Sequence, residues 1–306
     1  MTEKTLSGVL PVFQTPFNDD ETIDFVTLER EIDWLYECGA DGVVFAMVSE
    51  ALRFSTEERR QIVEAVCRFN RDRGVVIISV GAEHTLLAED YARHAEASGA
   101  DAVMAIPPVS VAIGEGELLK YYEFILNSTS LPLIAQDASG YVGRPMSVAF
   151  QAGLLDAYGA DRVLFKPEAV PIGPRLTELR DATHGRATIF EGSGGIALVE
   201  SYRRGIAGTM PGSDLIKGII ALWNALEAGD EDLTYKLSFP ISSLIAMQHG
   251  LDGFLVVEKY LLRKQGIFKN ELVRGPVGFT MDMETREEID RLFDRVMIAV
   301  EESGTA

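Results

Sequence analysis

The 306-residue chain has only two cysteines and four histidines. Cys38 and Cys67 both fall inside apolar-periodic stretches that read as helices, and no Cys-x-x-Cys spacing accompanies them. Buried structural thiols are therefore expected, not a disulfide framework or a redox pair. His84, His94, His184 and His249 are scattered without metal-ligand spacing, so no metal is expected. No histidine or aspartate is placed in a recognisable way to activate a serine, which argues against a serine hydrolase. Positive charge is also scarce: 28 Lys and Arg face 47 Asp and Glu, a formal charge of −19. Nucleic acid and anionic membrane surfaces would be repelled over most of such a surface, so the expected partner is a small molecule. If that molecule is an anion, it needs a local reversal of sign from backbone N–H groups, hydroxyls or one buried cation. No apolar run approaches the roughly 18 residues of a membrane span, and residues 1–7 lack the apolar core of a signal peptide, so a cytoplasmic protein is expected. No glycine-rich nucleotide loop follows any apolar run, and no cofactor is expected.

What the chain does have is alternation. Short β-rich apolar runs occur at 8–14, 42–47, 75–80, 102–106, 131–136, 162–166, 187–191 and 207–210. Between them lie amphipathic stretches near 25–38, 56–72, 85–98, 115–127, 145–157, 172–183, 195–204 and 213–227, with apolar residues returning every three or four positions. Eight such units imply parallel strands with helical crossovers, an α/β chain. Ser55-Thr-Glu-Glu58 has the form of a capping box opening the second helix, and Gly39, Gly99 and Gly205 stand where helices should stop. The phrases Cys38-Gly-Ala-Asp-Gly42, Ser98-Gly-Ala-Asp-Ala102 and Gly205-Ile-Ala-Gly208 repeat at helix-to-strand junctions. Repetition of one unit favours a closed (β/α)8 TIM barrel over an open doubly wound sheet, which stays as the alternative. After residue 228 only helical patterns follow, near 231–248, 252–266 and 283–302, and no linker precedes them. The expected organisation is a barrel over 1–228 with a helical appendage, 229–306, packed on it.

In a (β/α)8 barrel, chemistry gathers at the C-terminal ends of the strands. Those ends read Met47-Val-Ser-Glu50, Gln136-Asp-Ala-Ser139, Lys166-Pro-Glu168, Glu191-Gly-Ser193 and Thr209-Met-Pro-Gly212. Lys166 follows the apolar run Val163-Leu-Phe165, which puts its amine at the barrel mouth against apolar walls. Burial disfavours the ammonium, and a neutral amine can attack a ketone to form an iminium, an electron sink for the neighbouring carbon. The competing reading is a structural ion pair with Glu168 or Glu191. Glu50, Asp137, Glu168 and Glu191 are candidate acids or bases that equally well cap helices or face solvent. Ser49, Ser139 and Ser193 either donate to a substrate or cap the helices that follow them.

The order of these motifs resembles the dihydrodipicolinate synthase and N-acetylneuraminate lyase superfamily of class I lyases. The likeness is carried by residues 8–17, Gly42 through Glu50, Ser55 to Arg59, Gly81 with Thr85, Gly99 to Asp101, Pro107-Pro108, Lys166, Glu258-Lys-Tyr260 and Arg274-Gly-Pro276. It implies that Lys166 forms a Schiff base with a 2-keto acid, without cofactor, in a homotetramer built as a dimer of dimers.

The departures from the family pattern are equally specific. Ala46-Met-Val-Ser-Glu50 stands where members usually carry a Gly-Thr-Thr-Gly-Glu or Gly-Ser-Thr-Gly-Glu loop. Gln136 replaces the relay tyrosine of strand five, Val109 or Ser110 replaces the tyrosine that crosses between subunits, and Tyr141 aligns with the synthase arginine. The 2-keto-3-deoxy-L-arabonate dehydratases are more similar, sharing Gln136-Asp-Ala138, Phe165-Lys-Pro-Glu168, Glu191-Gly192 and Gly205-Ile-Ala-Gly-Thr-Met210. That resemblance implies dehydration of a 2-keto-3-deoxy sugar acid, with Lys166 on the imine and Glu168 moving protons. Gln136 and Ser193 would hold substrate hydroxyls, with Gly192 and Ser139 in the pocket wall. Val48 and Ser49 would meet the carboxylate, and Tyr141 could offer a displaced phenol. A pyruvate-releasing aldolase, a 4-hydroxy-tetrahydrodipicolinate synthase and a non-catalytic keto-acid sensor remain as alternatives.

Overall fold

The computed structural model describes residues 4–140 and 144–304. Among them eight short strands alternate with helices as the periodicity predicts. β2 (Gly42–Phe45), β3 (Val75–Ser79), β4 (Ala102–Ala105), β5 (Leu133–Asp137) and β6 (Val163–Pro167) pair in that order, while β1 (Gly8–Val9) pairs β8 (Gly208–Thr209) and β8 pairs β7 (Phe190–Glu191). Every pairing is parallel. Parallel bridges Val12↔Val44 and Phe165↔Ile189 join the two groups on either side and close the ring.

Successive strand residues point to opposite faces, so closure divides the apolar residues into two layers. Leu10, Val12, Val44, Ile77, Met104, Ile134, Leu164, Phe190 and Met210 fill the barrel. Val43, Phe45, Val76, Ile78, Val103, Leu133, Ala135, Val163 and Phe165 face outward beneath the helices. The outer ring is α1 (Phe25–Glu37), α2 (Thr56–Asn70), α3 (Thr85–Ala97), α4 (Glu115–Ser128), α5 (Val148–Tyr158), α6 (Ile172–Ala182), α7 (Leu198–Tyr202) and α8 (Ile216–Ala228). Ser55 and Glu58 make both bonds of the capping box at the start of α2. Gly39, Gly99 and Gly205 take positive φ after α1, α3 and α7, a conformation glycine adopts without a Cβ penalty.

Several expected elements are shorter than the sequence pattern suggested, the strand expected at 187–191 being paired only over Phe190–Glu191. The first strand is regular only over Gly8–Val9; beyond it Leu10 N and Val12 N still donate to Thr209 O and Pro211 O, while Pro11, which has no N–H, only accepts from Val44 N, and bridges remain at Val12. The second strand stops at Phe45, and 3₁₀ turns follow at Met47–Ser49 and Ala51–Arg53. The stretch from 195 becomes helical only at Leu198, because Gly194 and Gly195 form a turn at φ +74° and +121°.

Beyond α8 lie α9 (Glu231–Ile245), α10 (Gly250–Lys264) and α11 (Met283–Ser303). α9 and α11 pack on each other and on α8, where Leu237, Ile241, Val296 and Val300 extend the core of Ile219 and Leu222. α10 packs on the Met47–Ser49 turn at the barrel mouth. Among the described residues no helix is long and apolar enough to cross a membrane, and no group of three His, Cys, Asp or Glu is placed to hold a metal ion.

Candidate active site

Strand alternation determines which side chains reach the mouth. Lys166 shares the parity of Leu164, and Gln136 that of Ile134, so both continue the inward-facing rows. They sit opposite each other in the β5–β6 register. Lys166 is 3% exposed, and its Nζ lies 3.2 Å from Glu168 Oε1. Gln136 Nε2 donates to Glu168 Oε2 at 2.9 Å. Burial pushes the Glu168 carboxyl above the usual glutamate value, opposed by the Lys166 charge and the Gln136 hydrogen bond. An amine, a carboxyl and an amide are thus held together in a dry corner.

Gly192, on the inward parity of β7, makes this corner possible. A Cβ there would lie 2.5 Å from Glu168 Oε1 and closer still to Lys166 Cε. The cavity over Lys166 is completed by Ala46, Met47 and Val48 after β2, Gly194, Met210, Gly212, and Leu251, Phe254 and Glu258 from α10. Its walls are largely apolar, with a few convergent polar groups, which is the usual make-up of a small-molecule site.

Other expected residues are placed differently. Ser49 is fully buried, and its hydroxyl donates to Phe13 O at 2.6 Å and accepts from Ala46 N at 3.2 Å. The 3₁₀ turn has rotated it into the protein, so it ties the segment after β1 to the loop after β2 instead of facing the cavity. Ser193 Oγ accepts from Ala197 N at 2.9 Å, and the residue lines the neighbouring cavity beside Ile196 and His249. Ser139 lines neither, and its Oγ is buried without a hydrogen bond. Asp137 accepts from Ser139 N and Met146 N, bracing the loop between β5 and α5. Glu191 accepts from Ser193 N and Thr209 Oγ1. Tyr141 lies outside the described residues.

Glu50 has a structural task as well. It holds φ 63° and forms a buried ion pair with Lys259 of α10, while its other oxygen accepts from Arg274 N at 3.1 Å. Burial lowers the Lys259 ammonium to about 8 against the pull of Glu50.

Sequence reasoning passed over the buried acids around Gln14. Gln14 Nε2 donates to Glu258 Oε2 at 2.6 Å, and its backbone N–H donates to Glu31 Oε1 at 2.9 Å, which Ser213 Oγ also meets at 2.8 Å. Burial raises Glu31 to about 8 and Asp214 to about 7, and holds Glu258 well above the carboxylate range with help from the nearby Asp214 charge. A signal was present: Glu258 interrupts the apolar stretch 254–262, and Glu31 lies on the Leu28-Ile32-Leu35 face of α1. A charge in such a place is rare unless it is paired or functional.

The sequence pattern of the dihydrodipicolinate synthetase family matches residues 5–295. An L-2-keto-3-deoxyarabonate dehydratase from Azospirillum brasilense is 27% identical over 291 residues, 92% of each chain. A 4-hydroxy-tetrahydrodipicolinate synthase from Chloroherpeton thalassium is 25% identical over 280 residues, 90% of this chain and 91% of that one. The crystal structure of dihydrodipicolinate synthase from Rhodopseudomonas palustris superposes with a TM-score of 0.85 at 26% identity, covering 96% of this chain and all of the other.

Proposed function

The chain belongs to the dihydrodipicolinate synthetase family and is a lyase of that family; from that premise we propose that it dehydrates a 2-keto-3-deoxy sugar acid through a Schiff base on Lys166. The observation that carries the reading is the Lys166–Glu168–Gln136 cluster, closed on one side by Gly192. Proton transfer across the 3.2 Å contact to Glu168 leaves the Lys166 amine free to attack the C2 carbonyl. Glu168 returns that proton to the hydroxyl of the adduct, which leaves as water, giving an iminium and restoring the Glu168 carboxylate. The Glu168 carboxylate removes a proton from C3, and the enamine electrons expel the C4 hydroxyl as water once it is protonated. Gln136 steers the carboxylate and is free to meet a substrate hydroxyl. Met47 and Val48 line the cavity, and in this reading their N–H groups meet the substrate carboxylate in the place expected of Ser49.

The dehydratase assignment among the family's reactions is supported by the polar groups present. Gln136 occupies the strand-five position that holds a relay phenol in family members that make or break C–C bonds, while C4 hydroxyl loss needs only a base at C3 and an acid at C4. The reading includes a homotetramer in the cytoplasm, which analytical ultracentrifugation and fractionation test.

Treatment with pyruvate and sodium borohydride, followed by intact-mass measurement, tests the imine. A reduced adduct in the wild type that is absent from Lys166→Ala is expected, and its absence from both overturns the proposal. Incubation with 2-keto-3-deoxy-L-arabonate then distinguishes the reactions. A product keeping all carbons and lacking one water supports dehydration; release of pyruvate refutes it.

A further inference from the structure

Proton transfer in the proposed reaction has two ends, a base at C3 and an acid at the C4 hydroxyl. Glu168 lies on the β5–β6 side of the mouth with Lys166 and Gln136. Across the mouth, on the β8–β1 side, the same cavity is lined by Glu258. This side chain comes from α10, outside the barrel, and is 1% exposed. Its carboxyl lies against the Cα of Gly212, where a Cβ would meet Oε1 at 2.5 Å and Cδ at 2.6 Å, so the glycine after β8 makes the room it occupies. Gln14 Nε2 holds its other oxygen at 2.6 Å.

We propose that Glu258 is the acid that protonates the departing C4 hydroxyl. The inference rests on the imine and dehydratase reading above. Glu168 takes the C3 proton as the C2 iminium becomes an enamine. The enamine electrons form the C3–C4 double bond as the C4–O bond breaks, and the Glu258 carboxylic acid gives its proton to that oxygen, so water departs. Glu168 then carries one proton more and Glu258 one fewer. One proton passing between them through water in the cavity restores both, and hydrolysis of the unsaturated iminium frees Lys166.

Two features of the surroundings fit this task. Burial favours the neutral form of Glu258, the form a donor needs, with Asp214 and Glu31 adding to the effect and the Gln14 hydrogen bond and Lys259 opposing it. Behind it, Gln14 Oε1 and Glu31 Oε2 are buried without hydrogen bonds. A wall that served packing alone would have little reason to keep such atoms.

Glu258→Gln tests the assignment, because the neutral amide keeps the shape and can still accept from Gln14 while losing the acidic proton. Three readouts are compared with wild type: borohydride trapping of pyruvate, deuterium exchange at the pyruvate methyl in D2O, and dehydration of 2-keto-3-deoxy-L-arabonate and its enantiomer. Trapping and exchange should stay within about threefold while dehydration falls about 10²- to 10⁴-fold, the usual contribution of a positioned general acid. Dehydration close to the wild-type rate overturns the proposal. So does a parallel fall in all three, which marks a structural residue. Failure of the underlying reading is visible in the wild type alone, as no adduct or as an adduct without dehydration of either enantiomer.

Discussion

Gly192→Ala isolates the geometry of the Lys166 corner, because it adds one carbon and no charge. The backbone of Gly192 is outside the left-handed region, so alanine is tolerated there and the effect is purely one of space. The new Cβ falls 2.5 Å from Glu168 Oε1, whereas real Cβ contacts are essentially never under 3.0 Å and are ordinary at 3.4–4 Å. Glu168 must therefore retreat by at least half an ångström and by about 1 Å for a relaxed fit, and Lys166 Cε further. Both are ends of flexible side chains, so the fold should lose only about 1 kcal/mol, the low end for overpacking. Catalysis is less tolerant: a misplacement of about 1 Å costs about 10²-fold, near 2.7 kcal/mol of barrier. The rate of borohydride-trapped adduct formation with pyruvate, measured beside a thermal melt, compares the two costs. Trapping at the wild-type rate with an unchanged melt would show that the corner does not depend on the missing Cβ.

Four further outcomes follow from the same structure. Gln136→Met removes a hydrogen bond that lowers the Glu168 pKa, so the rising limb of pyruvate C3 exchange against pH should move to higher pH; an unmoved limb separates Glu168 from that step. Lys259→Met leaves the buried Glu50 with only Arg53, 3.7 Å away, as counter-charge and should cost about 3 kcal/mol in denaturant melts, the low end for breaking a buried pair, much of it recovered by adding Glu50→Gln. Glu31 is raised from 4.5 to about 8, so its contribution to stability is present below about 4.5 and lost as pH rises through about 8. Glu31→Gln should thus gain on the wild type across that window by up to about 1.4 kcal/mol per pH unit, and parallel stability curves would refute this. Ser49→Ala should destabilise by about 1–3 kcal/mol while leaving trapping near wild type; the reverse pattern would restore a substrate contact to its hydroxyl.

The barrel was legible because its cause is local. Eight apolar runs of strand length, each followed by a helical period, leave parallel pairing as the available arrangement, and Gly39, Gly99 and Gly205 mark where helices end. Lys166 and Gln136 were legible for the same reason: period-2 alternation carries the inward rows of β5 and β6 directly to them. Ser49 was not, because the strand ends at Phe45 and a 3₁₀ turn sets a new direction that alternation does not encode. Glu258 was read only as part of a motif. Its approach to the cavity depends on how α10 crosses the mouth, a tertiary fact with no trace in local spacing beyond a charge inside an apolar stretch.

The Glu50–Lys259 pair also sets an order of events during synthesis. The loop after β2 and the strand bearing Lys166 leave the ribosome well before the helix that neutralises Glu50, and before the Arg274 N–H that holds its second oxygen. At about 5–20 residues per second, the interval between Lys166 and Arg274 is on the order of ten seconds. Through that interval the Glu50 carboxylate of a nascent barrel would have Arg53 but not Lys259 as counter-charge, and there would be no α10 wall over the Lys166 amine. The eight strands can pair as they emerge, but the reactive pocket is complete only once Lys259 and Arg274 have followed them.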